Sequence, residues 1–347
     1  MERIALQPEY SISRVVKGGW HLAGGHGNIS EEQALDDMYH FVKAGITTFD
    51  CADIYTGVEE LIGKFRKTHA DAFRAGDLPP IQVHTKYVPD YNALATLSKE
   101  ETTRIIDRSL RRLGVERLDL VQFAWWDYQF PRYLETAVHL TELRKAGKIR
   151  FLGITNFDTT RIKEMLDAGV QIASNQVQYS VLDQRVERQM TDLAQEHSIP
   201  YLCYGTVAGG FLSDRYLNVP DPKPPFENRS LTKYRLIIEE FGSYELFQQL
   251  LHVLRKIADK YEVAIAEVAC HYILQKPMVA GVIVGARNRR HLESLQRLDT
   301  FTLDADDLGQ IAEIVAQSQG PNGPFYELER DKTGKHGAIM KYNLNED

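Results

Sequence analysis

Gly45-Ile46-Thr47-Thr48-Phe49-Asp50, the helical pattern Glu59 to Arg74, and Ile81-Gln82-Val83-His84-Thr85-Lys86 read as strand, helix, strand. The unit recurs on both sides. Upstream, Arg14 to Trp20 is a first strand and Glu31 to Lys43 a helix behind the N-cap Ser30. Downstream, helix Lys99 to Arg112, capped by Ser98 and closed at Gly114, precedes strand Leu118 to Phe123. Helix Tyr133 to Ala146, strand Ile149 to Ile154, helix Thr159 to Ala168 and strand Gln171 to Gln176 continue the series. Helix Val186 to His197 and strand Pro200 to Tyr204 follow, then helices Ser243 to Tyr261 and Ile265 to Gln275 before strand Val279 to Val284. Further helices begin near Asn288 and after Asp304.

About eight alternating units predict a parallel sheet closed as an α/β (β/α)8 TIM barrel. An open doubly wound sheet is the alternative, disfavoured because no Gly-x-Gly-x-x-Gly opens a first helix. The expected organisation is one domain over 1–347, with a proline-rich, irregular loop at 205–242 over the barrel mouth and a polar tail at 320–347.

Composition narrows the class. With 43% apolar and 26% charged residues the chain reads as globular, and no apolar run approaches the ~18 residues of a membrane span. Net charge is −7 without a long single-sign block, which gives no track for nucleic acid. Arg108, Arg111 and Arg112 read as a solvated helix face. Cys51, Cys203 and Cys270 lack metal-ligand spacing and read as buried, reduced thiols, so no metal is expected. The amino terminus lacks a secretory or transit pattern, and a cytoplasmic address is expected. Oligomeric state is left open.

In a barrel the chemistry gathers at the carboxyl ends of the strands, so Asp50, Lys86, Ala124, Asn156, Gln176 and Tyr204 are expected around one mouth. Asp50, Tyr55 and Lys86 form a general-acid device. An ammonium beside a phenol lowers its pKa, and a carboxylate keeps the ammonium charged. His84 shares the inward face of Lys86 and reads as a satisfied core histidine. Trp20, Trp125, Trp126, Tyr128 and Phe130 fall in loops that would line an aromatic substrate pocket around Ala124. Asn156 also reads as a cap, Tyr204 as a core ring and Arg287 as a solvated surface residue.

Asp50 through Gly63, with Gly153 to Phe157, Asn175 to Ser180 and Val282 to Asn288 in that order, resembles the aldo-keto reductase family from about Val15 to Leu298. The resemblance implies a reductase transferring hydride from NADPH, in preference to NADH, to a small carbonyl compound, with Asp50, Tyr55 and Lys86 catalytic. It implies nicotinamide contacts from Thr155, Asn156 and Gln176, stacking by Tyr204, and a pyrophosphate loop at Gly205, Thr206 and Gly209. Gly285, Arg287 and His291 would complete the cofactor site, with Arg287 on the 2'-phosphate. Ser294 and Leu295 depart from the family's adenine-reading pair.

Ala124 stands where the family carries a catalytic histidine, and a methyl group cannot polarise a carbonyl. Losing such a donor costs on the order of ~3 kcal/mol of transition-state stabilisation. Three readings follow: another donor compensates, with Trp125, Trp126 or His21 as candidates; the freed space serves reduction of an activated C=C bond; or the protein is an NADP-binding sensor or channel-associated subunit with slow turnover. Sugars, quinones, terpenoids and small aromatic aldehydes all remain open as substrates.

Overall fold

The computed structural model describes residues 1–24, 30–187, 190–286 and 288–345. After the strands β1 (Arg3–Gln7) and β2 (Tyr10–Ser13) come eight that close on themselves. They are β3 (Val15–Gly18), β4 (Thr48–Asp50), β5 (Gln82–Tyr87), β6 (Leu118–Phe123), β7 (Ile149–Thr155), β8 (Asn175–Gln178), β9 (Tyr201–Tyr204) and β10 (Val279–Val284). Each pairs in parallel with its neighbours, and β10 closes onto β3. The fold is the expected (β/α)8 barrel. Among the described residues no helix is long and apolar enough to cross a membrane.

Local chemistry agrees with the helix boundaries read from sequence. The Ser30 hydroxyl accepts from Gln33 N and that of Ser98 from Glu101 N, while Gly114 supplies the left-handed residue that ends helix Lys99–Leu113. Register then sets what faces inward. Asp50 lies opposite Gly18 and His84, and Lys86 opposite Gln122. Because side chains alternate along a strand, His84 and Lys86 share the barrel interior.

His84 is fully buried and meets the Tyr10 hydroxyl at 3.1 Å. Burial pushes its imidazole down to about 4, with Asp50 opposing and Lys86 assisting, so it is neutral at pH 7. It is a core histidine, as the sequence suggested, but only half satisfied: Nε2 meets Tyr10, while Nδ1 is buried without a partner among the described residues. Tyr10 belongs to a hairpin, β1 with β2, that the sequence reading passed over. Leu6, Tyr10 and Ile12 of that hairpin cluster with Leu120, Leu202 and Ala280 of the strands.

Several expectations need correcting. The helix expected over Glu59 to Arg74 divides into Val58–Thr68 and Ala70–Ala75, and β8 starts four residues later than the strand expected from Gln171. Arg108 is buried, and Arg112 pairs with Glu59 and Glu60, so of the three arginines only Arg111 is a solvated residue. The stretch 205–242 is not irregular throughout: Arg229–Phe241 is a helix capped by Asn228, whose side chain accepts from Leu231 N. Its prolines precede that helix and leave its interior intact.

The polar tail folds back onto the barrel. Phe325, Tyr326, Glu329 and His336 are buried, and Glu329 faces Arg185, which also holds Asp183. Arg185 Nη2 donates at 2.7 Å to Asp183 and 2.9 Å to Glu329. Burial disfavours the carboxylate of Glu329, yet the guanidinium holds its pKa below the ordinary value. The tail lacks a period because it is fastened by single charged and aromatic residues instead of one continuous apolar face. Replacing Arg185 by Met strands two buried carboxylates against one another. Urea denaturation of Arg185→Met should show a loss of about 3–5 kcal/mol, the range for breaking a buried pair from one side; a loss under about 1 kcal/mol would mean that the tail is not fastened there.

Candidate active site

Asp50 ends β4, and its two carboxylate oxygens serve different partners. Oδ2 accepts from Lys86 Nζ at 2.6 Å, whereas Oδ1 accepts from Gln176 Nε2 at 2.6 Å and Gln122 Nε2 at 3.0 Å. Lys86 donates again to the Cys51 carbonyl at 2.9 Å, and Gln176 to Gln122 Oε1 at 2.8 Å. All four side chains are buried, so each charge is offset by a partner within the barrel. Burial alone would lower the Lys86 pKa, but Asp50 and Tyr55 raise it above its ordinary value. Lys86 is therefore a permanent cation. Gln122 is a member of this network that the sequence reading missed; its place two residues before Ala124 on an inward-facing strand was the available signal.

Tyr55 sits in the turn after β4, where its amide donates to Ala52 O. The Lys86 ammonium lies 5.0 Å from its ring centroid and the Trp20 ring 5.1 Å away. The trio expected from sequence is thus assembled, with Trp20 beside it. One electrostatic expectation is corrected. Burial raises the phenol's pKa by more than Lys86 lowers it, and the net shift is upward from its ordinary value. The phenol is protonated at neutral pH, the starting state that an acid requires.

On the other side of the mouth, Tyr204 at the end of β9 donates from its hydroxyl to Asn156 Oδ1 at 2.8 Å. Asn156 follows β7 in a left-handed conformation, φ 62°, and donates its amide to Gln176 O. Its side-chain nitrogen has no acceptor among the described residues, which leaves a donor beside a partly exposed tyrosine ring. Thr155 and Gln176 lie next to it but direct their donors inward, Thr155 Oγ1 to Gln176 O and Gln176 Nε2 to Asp50.

The glycines after Tyr204 have a packing role. A side chain at Gly205 or Gly209 would meet Tyr234 of the helix Arg229–Phe241, at 2.4 Å and 2.8 Å respectively. Thr206 is buried, with its hydroxyl 3.5 Å from Cys270 Sγ. Gly210, by contrast, has open space where a side chain would be, and Gly285 and His291 are exposed. Arg287 lies outside the described residues. Under this loop Lys17, also missed from sequence, donates to the Ala286 carbonyl and contacts His21 Nε2 at 3.2 Å.

The aromatic pocket is narrower than expected. Trp125 is buried against Phe123 and Tyr133, away from the mouth, and its indole donates to the carbonyls of Asp127 and Phe130. Trp126 is partly exposed, but its indole N–H is held by Pro89 O at 2.9 Å. With His21 against Lys17, none of the three side chains weighed as replacement donors near Ala124 has the expected freedom. Trp20 and Trp126 keep their places beside the opening, and the tail covers part of it. Arg330 donates to Trp125 O and Asn156 O and lies over the Tyr128 ring at 4.1 Å, while Tyr342 packs on Trp126 at 5.1 Å.

Residues 14–316 match the Aldo/keto reductase family. The chain belongs to this family. As a member it is an NAD(P)H-dependent oxidoreductase of the aldo-keto reductase type. It is similar to the aldo-keto reductase YhdN of Bacillus subtilis, 26% identical over 322 residues covering 90% of this chain and 93% of that protein. It is also similar to an NADH-specific methylglyoxal reductase of Escherichia coli, 24% identical over 328 residues covering 88% and 96%. The glycerol dehydrogenase AKR11B4 of Gluconobacter oxydans shares its fold, with a TM-score of 0.73 at 22% identity over 91% of this chain and 95% of that one.

Lys17 gives this family member a pH-dependent stability. Burial pushes its amine down to about 7 against the opposing pull of Asp37, whereas an unfolded lysine titrates near 10.5. Between those values the unfolded chain binds the extra proton, so stability rises with pH. Relative to Lys17→Met, the wild type should gain up to about 1.4 kcal/mol per pH unit between pH 7 and 10 in urea melts. A difference independent of pH would assign Lys17 its proton throughout.

Proposed function

We propose that the protein reduces an aldehyde or ketone with NADPH, Tyr55 acting as the general acid. The observation that carries this reading is the Tyr55 ring placed 5.0 Å from the ammonium of the buried Lys86 and Asp50 pair. When bound, the nicotinamide supplies the hydride. Asn156 offers it a free amide donor, Tyr204 an aromatic face, and Gly210 an open stretch of backbone. Thr155, Gln176, Gly205, Thr206, Gly209, Gly285 and His291 would surround these contacts. Arg287 is the reason for preferring NADPH, since a guanidinium fork suits a 2'-phosphate; the NADH-specific relative shows that the family is not uniform in this.

The residues divide the proton's work. Tyr55 gives its proton to the carbonyl oxygen as negative charge develops there, and Lys86 stabilises the phenolate left behind. Asp50, Gln122 and Gln176 hold Lys86 in register, so its field on Tyr55 is preorganised. A second reading, reduction of an activated C=C bond, is favoured by Ala124 and by the engagement of Trp125, Trp126 and His21 elsewhere. Either reaction suits a cytoplasmic protein with three buried, reduced cysteines.

Tyr55→Phe should lower kcat by about 10²-fold or more while leaving the NADPH Kd, read from quenching of protein fluorescence, within about twofold. Unchanged turnover would remove Tyr55 from the mechanism, and higher turnover of enones than of aldehydes would favour the second reading. Because burial shifts the phenol up from its ordinary value, the reductive rate should not fall through the neutral range; a decline centred near neutrality would place the proton on another group.

A further inference from the structure

Helix Arg229–Phe241 brings Lys233 to the mouth without an ion-pair partner among the described residues. Its ammonium lies 5.0 Å from the Tyr204 ring centroid and 5.7 Å from those of Tyr234 and Tyr326. Among the described residues no carboxylate is within ion-pair reach of it; the nearby Asp183 and Glu329 are both held by Arg185. Burial lowers the Lys233 pKa from its ordinary value against the pull of Glu329 and Asp183, so an anion brought to it would restore the charged form. Three ring faces partly stabilise a cation but leave its strong hydrogen-bond donors without an acceptor.

A second cation faces the same tyrosine. Arg330 lies 5.3 Å from the Tyr326 ring, donates only to main-chain carbonyls, and has a buried Nε with no partner. The chain as a whole carries −7, so two cations without carboxylate partners beside the strand ends do not follow from bulk charge. Tyr204, under Lys233, is hydrogen-bonded to Asn156, and Arg330 holds the Asn156 carbonyl. This cationic patch therefore adjoins the place where a substrate would meet the cofactor. In a partly desolvated cleft such a field selects for negative charge.

We propose that Lys233, with Arg330 facing the same Tyr326 ring, binds a carboxylate or phosphate carried by the carbonyl substrate. The inference rests on the reductase reading and narrows its substrates to anionic carbonyl compounds. Lys233 is a specificity residue in this assignment; the proton still comes from Tyr55.

The test compares 4-carboxybenzaldehyde with benzaldehyde in the wild type, Lys233→Met and Lys233→Arg, together with NADPH Kd and calorimetric binding of benzoate to the NADP-loaded protein. The expected result is a preference in kcat/KM for the carboxylated aldehyde that falls about 10-fold in Lys233→Met, mainly through KM, and is retained in Lys233→Arg. Benzoate should weaken in parallel, with NADPH Kd moving less than about twofold. A parallel loss for both aldehydes, an unchanged preference, or a weakened NADPH Kd would overturn the proposal, the last by assigning Lys233 to the cofactor's phosphates. If the wild type reduces neither aldehyde yet binds benzoate through Lys233, the anion site stands and the reductase reading fails. If benzoate binding is absent or independent of Lys233, the anion site fails whatever the turnover.

Discussion

The buried pair of Lys86 and Asp50 constrains everything placed around it. Two charges removed from water are tolerated only when their remaining donors and acceptors are satisfied, and here Gln122, Gln176 and the Cys51 carbonyl complete the set. Four strands, β4, β5, β6 and β8, must therefore hold one register relative to one another, since a slip of one residue would turn a partner out of the barrel. The same pair gives Tyr55 its setting: an ammonium that cannot lose its charge, beside a phenol that burial keeps protonated.

The mouth is closed by elements from late in the chain. The helix Arg229–Phe241 presses Tyr234 onto Gly205 and Gly209, and the tail sets Tyr326 and Arg330 against the loops after β6 and β7. Arg185 ties Glu329 of the tail to Asp183 in the stretch after β8. A site of this kind has a rigid polar floor, made by strands, and a roof made by side chains from the helix and the tail. In the proposed reaction the floor would carry the proton chemistry and the roof the charge that would choose among substrates.

Much of the floor was legible in sequence. The alternation of strands and helices implied the barrel, and the barrel implied that Asp50, Lys86, Asn156, Gln176 and Tyr204 share one end, because periodicity and strand order are local properties of the chain. Gln122 escaped notice because a polar residue in an apolar strand looks the same whether it is unpaired or bonded to Asp50. The direction of the Tyr55 shift was misjudged for a related reason: the sequence names the neighbouring ammonium, but not that packing takes the phenol partly out of water. Trp125 shows the converse, an aromatic residue in the expected loop whose ring turns to the core.

By itself, then, the sequence determined the (β/α)8 architecture, helix caps such as Ser30 and Ser98, and the grouping of Asp50, Tyr55 and Lys86, all of which follow from local pattern and chain order. Only the tertiary structure decided the protonation of Tyr55, the use of the glycines after Tyr204, and the roof of Lys233, Tyr326 and Arg330. Those features depend on desolvation and on contacts between different elements of the fold, from Gly209 with Tyr234 to Arg330 with Asn156, and neither quantity is encoded in any local stretch.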